Sequence, residues 1–174
     1  HNLATLLADA KNDYAGAETL CRQALAIRYR LFGKGHREVA ANLNNLGVIL
    51  KRKGDFTAAE RLMREALEMR LSLVGNEHPD VAESLDSLAS LLQDNGDYAG
   101  AEPFNRQTLA IYRRLHGNEH PNVANSLNNL AYGLNAKGDY AAAEPLFREA
   151  LAVNRKIFGN EHPTVATNLN NLAS

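Results

Sequence analysis

Residues 117–158 read GNEHPNVANSLNNLAYGLNAKGDYAAAEPLFREALAVNRKIF, and close copies of this stretch follow one another along the chain. Asp55, Asp97 and Asp139 mark the register, because they stand 42 residues apart. A fixed period of this length is typical of a solenoid, in which each unit is one supersecondary element that buries its apolar face against its neighbours. The period therefore predicts a repeat architecture before any single residue is considered.

Each copy carries the signals of two helices joined by a tight turn. A Gly-Asp pair separates two runs with helical apolar spacing, and it predicts a helix-turn-helix hairpin. The aspartates are expected to cap the second helix by accepting from its free amides. The links between copies read GNEHP or GKGHR, and proline is favoured at the first helical position. We therefore expect His78, His120 and His162 to flank helix starts.

The repeat divides the whole sequence into one array. We expect a partial repeat at 1–33, three full repeats at 34–75, 76–117 and 118–159, and a partial C-terminal helix at 160–174. The first helix of the partial repeat is predicted from Asn2 to Lys11, with Asn12 at its turn. Both ends of the sequence lie inside the periodic pattern, so we interpret it as a segment of a longer protein.

The amino-acid composition of the chain limits the kinds of molecule that it is expected to bind. The chain has 19 basic and 20 acidic residues among 174, and a net charge of −1 provides no general attraction to nucleic acid or to an anionic membrane. No apolar run reaches the ~18 residues of a membrane span. The lone Cys21 cannot form an internal disulfide, which fits a reducing compartment, and we expect a cytoplasmic protein.

A mostly polar stripe runs along the first helix of each unit, beside its apolar stripe. Asparagine inside a helix costs about 0.6 kcal/mol relative to alanine, so its recurrence calls for a reason. An amide side chain can both donate to and accept from the unpaired backbone of an extended peptide. The candidate peptide-binding residues on this stripe are Asn44, Asn45, Val48, Lys51, Arg52, Asp86, Ser87, Asn128, Asn129, Tyr132, Asn170 and Asn171.

The run LGVILKRKGDFTAAERLMREAL at 46–67 and its counterparts resemble the tetratricopeptide repeat (TPR). The 42-residue step with HPxVAxxLNNLA is similar to the kinesin light chain type of this repeat. The resemblance implies an all-α fold, a right-handed α-solenoid of helix-turn-helix repeats, with the first helices lining a concave groove that holds peptides. Within the family the LNNLA asparagines face bound peptide. Kinesin light chains prefer acidic peptides, which the acidic Glu83, Asp86 and Asp94 of this chain would repel. That preference is therefore not transferred to this chain.

Each candidate also has a structural interpretation. One asparagine of each pair could bond the neighbouring repeat, and Tyr132 could simply pack against the adjacent helix. The histidines recur once per unit, too far apart to share an ion, so no metal site is expected. Cys21 is expected to be a half-buried structural thiol. No catalytic residues and no cofactor are predicted, because no Walker loop, HExxH, GxSxG or dinucleotide fingerprint occurs.

The pattern therefore favours a non-catalytic protein–protein interaction scaffold that binds an extended peptide or a short helix. Residues 13–54 carry eight basic and three acidic side chains, whereas residues 55–96 carry three and nine, and this contrast would orient the ligand. The alternatives are self-association through exposed terminal repeats, or a regulatory repeat segment of a larger multidomain protein.

Overall fold

The structure is a computed structural model that describes residues 13–173. The predicted helix at Asn2–Lys11 and the turn at Asn12 lie outside the described residues. Regular structure in the described range is entirely α-helical. The helices are α1 (Tyr14–Phe32), α2 (Arg37–Arg52), α3 (Phe56–Val74), α4 (Pro79–Asp94), α5 (Tyr98–His116), α6 (Pro121–Ala136), α7 (Tyr140–Phe158) and α8 (Pro163–Ala173). Over residues 13–173, none of these helices is both long enough and apolar enough to cross a membrane.

The Gly-Asp turns form as the sequence predicts. Gly54 has a φ of 85°, a left-handed conformation that glycine adopts without steric cost, and it ends α2. The side chain of Asp55 then accepts from the backbone N–H of Ala58 at 3.0 Å and caps α3. The aspartates that precede α1, α5 and α7 make the same bond. This turn reverses the chain, so that α2 packs against α3 and α6 packs against α7.

The histidine links are also confirmed as helix starts. In each link the histidine Nδ1 accepts from the backbone N–H two residues later, at 3.1 to 3.2 Å. In three links the ring also stacks on a ring from the end of the preceding helix. The stacked pairs are Phe32–His36, His116–His120 and Phe158–His162, with centroids 4.0 to 4.5 Å apart. The imidazole therefore serves as both a cap and a packing surface.

The link at 117–120 is expected to weaken as the pH falls. Burial, together with the neighbouring His116, lowers the pKa of His120 in the folded chain. A group whose folded pKa lies below its unfolded value stabilises the fold above the unfolded pKa of about 6.5, and this stabilisation is lost as the pH falls. Protonation would also convert Nδ1 from acceptor to donor and break its bond to the N–H of Asn122.

The test of this pH dependence uses a residue type that other repeats of the chain have at the position of His116. His116→Phe copies the aromatic found at the same repeat position in Phe32 and Phe158, so it keeps a ring for stacking and removes the second charge. We expect its melting temperature to fall less than that of the parent chain between pH 7.5 and pH 5.5. Equal slopes for the two proteins would show that charge at residue 116 does not act on His120.

Two compact units make up the chain, His1–Leu91 and Leu92–Ser174, of which the structure describes residues 13–91 and 92–173. In the first unit the largest fully buried apolar side chains include Leu43, Leu46 and Met63. In the second unit, Leu127 and Leu130 of α6 pack with Ala143, Phe147 and Ala150 of α7. Ala17, Ala59, Ala101 and Ala143 are all buried at one repeat position, where the small side chain lets paired helices approach. The single array over residues 1–174 remains a prediction.

Polar pairs at 70/84 and 154/168 join the end of a second helix to the following first helix, a feature that the sequence analysis missed. Arg70, only 4% exposed, donates to the Ser84 hydroxyl at 2.9 Å and to the Asp80 carbonyl oxygen at 2.6 Å. The amide of Asn154 donates to Asn168 Oδ1 at 2.7 Å. The positions involved, 28, 70, 112 and 154 with 42, 84, 126 and 168, keep the 42-residue step. The sequence does contain a signal for these pairs, since a small polar residue recurs at positions 42, 84, 126 and 168 inside an otherwise apolar stripe.

Candidate functional site

The asparagine pair on α2 divides into one buried and one exposed side chain. Asn44 is 3% exposed, and its Nδ2 donates to the Ser87 hydroxyl of α4 at 3.3 Å. Asn45, the next residue, is exposed, and Val48 one turn later is half-buried. Asn44 therefore takes the inter-repeat role that was the structural interpretation, whereas Asn45 stands open to solvent.

Charged residues of the same face lie at the end of α2 and on α4. Lys51 is half-buried, and its Nζ donates to the Ser90 hydroxyl at 2.9 Å. Arg52 is exposed at the end of α2. Asp86 and Ser87 on α4 are half-buried, and the Ser87 hydroxyl donates to the Glu83 carbonyl oxygen at 2.9 Å. This face thus presents one exposed basic side chain, that of Arg52, at the end of α2.

In the second unit, α6 presents Asn128, Asn129 and Tyr132 along one stripe. The two asparagines are half-buried, and the carbonyl oxygen of Asn129 accepts from Gln93 Nε2 at 3.0 Å. The phenol of Tyr132 is 54% exposed, which is unusual for so large an aromatic side chain in the middle of a helix. The stripe therefore combines amide groups with one accessible ring.

Tyr132 is held in place from one side by Tyr98. The two rings meet edge to face with centroids 6.2 Å apart, an arrangement that aromatic pairs prefer. The hydrogen bond with the Tyr98 hydroxyl, with Asp94 nearby, raises the pKa of Tyr132 above its ordinary value. The ring is therefore neutral at physiological pH and oriented, while half of its surface stays in solvent.

A cavity of about 190 Å³ lies further along this stripe, between α6, α7 and α8. Among its lining residues are Asn135, Tyr140, Glu144, Phe147, Asn171 and Leu172. Asn171 was predicted as a binding residue, and the structure brings it to this cavity, whereas Asn170 is exposed on α8. The sequence analysis did not select Tyr140, Glu144 or Phe147, since each occupies an ordinary repeat position.

The profile of the tetratricopeptide repeat matches residues 1–72, 44–114, 80–153 and 123–174, which together cover the chain from end to end. The chain belongs to the tetratricopeptide repeat family. Repeats of this family are generally protein-interaction scaffolds. No curated protein is detectably similar to this TPR chain in sequence.

Solved structures of kinesin light chain-like proteins share the fold of this TPR chain. A kinesin light chain-like protein of Podosopora anserina with nearly identical TPR-like repeats superposes with a TM-score of 0.86 at 25% identity, over 98% of this chain and 81% of that chain. A single-residue variant of it gives 0.87 at 24% identity, over 98% and 80%. BtubC (BKLC) from P. vanneervenii gives 0.86 at 24% identity, over 98% and 67%. The expected all-α TPR solenoid of the kinesin light chain-like type is thereby confirmed.

The third repeat of this TPR chain contains a polar replacement in its interior. Asn105 stands where the other repeats have Cys21, Met63 and Phe147, and it is 2% exposed with Nδ2 lacking a hydrogen-bond partner in the described residues. Gly133 packs nearby, since a Cβ there would lie 2.9 Å from Gln93 Nε2. Gln93 thus occupies the space beside α6 that a Cβ at residue 133 would take.

Other candidate reactive groups have structural roles in this TPR chain. Cys21 is more buried than expected, at 2% exposure, and burial raises the pKa of its thiol, which opposes thiolate formation. Beside it lies the Asn42 amide, which in the orientation that satisfies both its atoms donates from its nitrogen to the Cys21 carbonyl oxygen at 3.1 Å and accepts from Arg28 Nη1 at 2.7 Å. Within residues 13–173 no three histidine, cysteine or acidic side chains come together as a metal site would require.

Proposed function

We propose that this chain is a non-catalytic scaffold that holds an extended peptide, or a short helix, against the polar stripe of its first helices. The stripe comprises the exposed or half-buried members of the candidate set, with Tyr132 at its centre in the second unit. The observation that carries the proposal is the exposure of Tyr132, 54%, on a ring that Tyr98 already orients. A rigid aromatic side chain with an accessible face is a frequent anchor for a bound polypeptide.

The groups around Tyr132 suit a peptide backbone. An extended peptide presents unpaired N–H and C=O groups at regular intervals, and amides can serve both. Asn129 is half-buried on this stripe and can offer its amide to such a backbone, whereas the Oδ1 of its neighbour Asn128 is itself buried, without a hydrogen-bond partner among the described residues. Because both side chains already sit in a packed helix, little conformational entropy would be lost on binding.

The charges of the first unit support a preferred orientation of the ligand. Arg52 is exposed, so acidic ligand groups would be favoured at the end of α2. Asp86 on α4 would favour basic groups. Such charges change association rates and register more than affinity, and their effect should fade with salt.

Binding should depend on the α6 stripe. Peptides selected from a random library against the whole chain are expected to lose about ten-fold or more in affinity with Tyr132→Ala, and less with Asn129→Ala, when measured by calorimetry. Phe32→Ala is the control, because Phe32 is similarly exposed at 48% but stacks on His36 away from the stripe. Selected peptides that bind the Tyr132→Ala chain as tightly as the parent chain would refute this assignment.

Self-association is the second candidate function. Ile27 and Leu31 of α1 are 53% and 69% exposed, and Leu169 of α8 is 42% exposed. Apolar side chains this open are typical of surfaces that pack on another chain, here a second copy. Light scattering over a concentration series would show a mass that rises with concentration, and Leu31→Lys would suppress the rise. A constant monomer mass would rule out self-association and leave the peptide-binding scaffold as the proposed function.

The absence of catalysis and a cytoplasmic location belong to the same proposal. The repeats of this family serve as non-catalytic scaffolds. Cys21 is a buried thiol, which a reducing compartment keeps unmodified. A role as the regulatory segment of a larger protein is compatible with both statements, and the ligand would then be a part of that protein.

A further inference from the structure

We propose that the exposed ring of Tyr132 is an arginine site, in which the guanidinium group of a bound polypeptide's arginine stacks on the ring and meets the negative charge of Asp94. Tyr98 orients the ring. The inference rests on the proposed function, because the arginine belongs to the peptide that is held on the α6 stripe. It adds the chemical class of the side chain that the stripe would select.

Tyr132 offers a ligand a surface that is already ordered. Its side chain is 54% exposed, and its ring meets that of Tyr98 with centroids 6.2 Å apart and planes inclined by 69°. A hydrogen bond with Tyr98 is also the largest cause of the raised pKa of Tyr132. Because Tyr98 holds the ring, less conformational entropy is lost on binding than at a mobile side chain. A cation over the face of such a ring is attracted by the ring quadrupole.

The charges of two consecutive first helices favour a cationic ligand. The helix α4 contains four acidic residues and no basic residue, and α6 contains no charged residue. Asp94, the last residue of α4, is exposed, and its charge adds to the effect of Tyr98 on the pKa of Tyr132. Lys137, the first basic residue after α6, is bonded to Glu102 at 2.6 Å. A cation that approaches the ring therefore meets a carboxylate and no repelling charge from either helix.

The combination of one carboxylate and two rings distinguishes this site from the equivalent positions one repeat earlier. Those positions hold Arg52, Phe56 and Ser90, so a cation replaces Asp94 and a small hydroxyl replaces Tyr132. The earlier set would repel a guanidinium group, and it lacks the exposed ring on which the group could stack. The site therefore gives the ligand a register, because its arginine suits only one of the two sets.

The site favours a guanidinium group over an ammonium group. A guanidinium group is planar, so it can lie flat on a single ring while a carboxylate accepts two of its N–H groups. The ammonium group of lysine is a compact and strongly hydrated charge, which loses more hydration for the same contact. A quaternary ammonium group is recognised by several rings that enclose it, whereas here Tyr132 is widely exposed and Tyr98 is half-buried.

The test uses the whole chain with ¹³C-labelled tyrosine and four short probes. The probes are acetyl-Gly-Ala-X-Ala-Gly-amide peptides in which X is arginine, citrulline, lysine or glutamate, titrated by NMR. Citrulline is a neutral near-isostere of arginine, so the ratio of the two dissociation constants measures the effect of the charge. We expect the arginine probe to shift the ring signals of Tyr132 and Tyr98 and to bind about five-fold or more tightly than citrulline. Lysine should bind more weakly than arginine, and glutamate should not bind.

Variants at the two contacting residues test the site directly. Tyr132→Ser copies Ser90 and should abolish the preference for arginine over citrulline, whereas Tyr132→Phe keeps the ring and should retain it. In both variants the ring signals of Tyr98 report binding. Asp94→Asn should reduce the preference by about two-fold or more. Glu161→Gln removes an exposed carboxylate from the link before α8, and as a control for net charge it should leave the preference intact.

Three results would each overturn the arginine site. They are equal binding of arginine and citrulline, lysine binding as tightly as arginine, and a preference for arginine that survives Tyr132→Ser or Asp94→Asn.

The arginine site and the peptide-binding stripe can be refuted separately. Library-selected peptides that depend on Tyr132, together with equal binding of the arginine and citrulline probes, would keep the stripe and remove the arginine site. A preference for arginine that Tyr132→Ser abolishes, with selected peptides indifferent to Tyr132→Ala, would keep the arginine site and remove the stripe.

Discussion

Leu127→Ala is expected to lower the free energy of unfolding by about 3 kcal/mol. Leu127 is fully buried in α6, where it packs with Ala143, Phe147 and Ala150 of α7. Truncation would lose the favourable transfer free energy of the removed atoms. It would also leave a cavity, because helices joined by a Gly-Asp turn cannot move together to fill it. Urea unfolding followed by circular dichroism at 222 nm would measure the loss.

Leu169→Ala provides a matched control from the same chain. Leu169 occupies the same repeat position in α8, in the nearly identical run NLNNLA, but its side chain is 42% exposed. We expect the same substitution to cost less than about 1 kcal/mol there, since much of the side chain already contacts water. Comparable losses at 127 and 169 would mean that the packing of α7 on α6 contributes little.

Arg70→Ala is expected to cost about 2 to 3 kcal/mol, from the loss of two charge-assisted hydrogen bonds. The guanidinium group is buried, and it donates to the Asp80 carbonyl oxygen and to the Ser84 hydroxyl at the start of α4. Glu83, at 3.3 Å, is the nearby carboxylate. The substitution would leave the polar groups of α4 buried and unpaired, and thermal or urea unfolding would report the loss.

A second pair in the chain supplies the rescue. Asn154 and Asn168 hold the repeat positions of Arg70 and Ser84 and bond each other at 2.7 Å. The double substitution Arg70→Asn plus Ser84→Asn is therefore expected to recover part of the stability that Arg70→Ala loses. Arg64→Ala is the surface control: its i, i+4 pair with Glu60 should contribute at most about 0.5 kcal/mol. A surface variant as damaging as Arg70→Ala would contradict a special role for the buried pairs.

Local sequence predicted the helix boundaries well, because their causes lie within a few residues. Asp55 caps α3 through an amide only three residues away, and His120 caps α6 through an amide two residues away. Gly54 adopts a left-handed conformation at the turn between α2 and α3, and Gly96 and Gly138 do the same in later repeats. The reason is steric and involves no distant partner. The TPR family followed from the same short signals repeated at a constant step.

The candidate site was predicted less completely, because exposure depends on residues one repeat away. Asn44 and Asn45 are the same residue type on one stripe, but Ser87 of α4 engages only Asn44. Gln93 and Asn135 hold the same repeat position, but only the structure shows that Gln93 Nε2 reaches the Asn129 carbonyl oxygen at 3.0 Å and that Asn135 lines a cavity. The buried pair of Arg70 and Ser84 likewise spans two helices.

By itself, then, the sequence determined that the chain is built from TPR hairpins, where each helix begins and ends, and which stripe of the first helix is polar. These properties arise from backbone conformation and from hydrogen bonds between near neighbours. Only the tertiary structure decided which equivalent side chains are buried, as the contrast between Asn44, which is 3% exposed, and its half-buried counterpart Asn128 shows. Burial is set by the neighbouring helices that cover a residue, and identical local sequences carry no record of that cover.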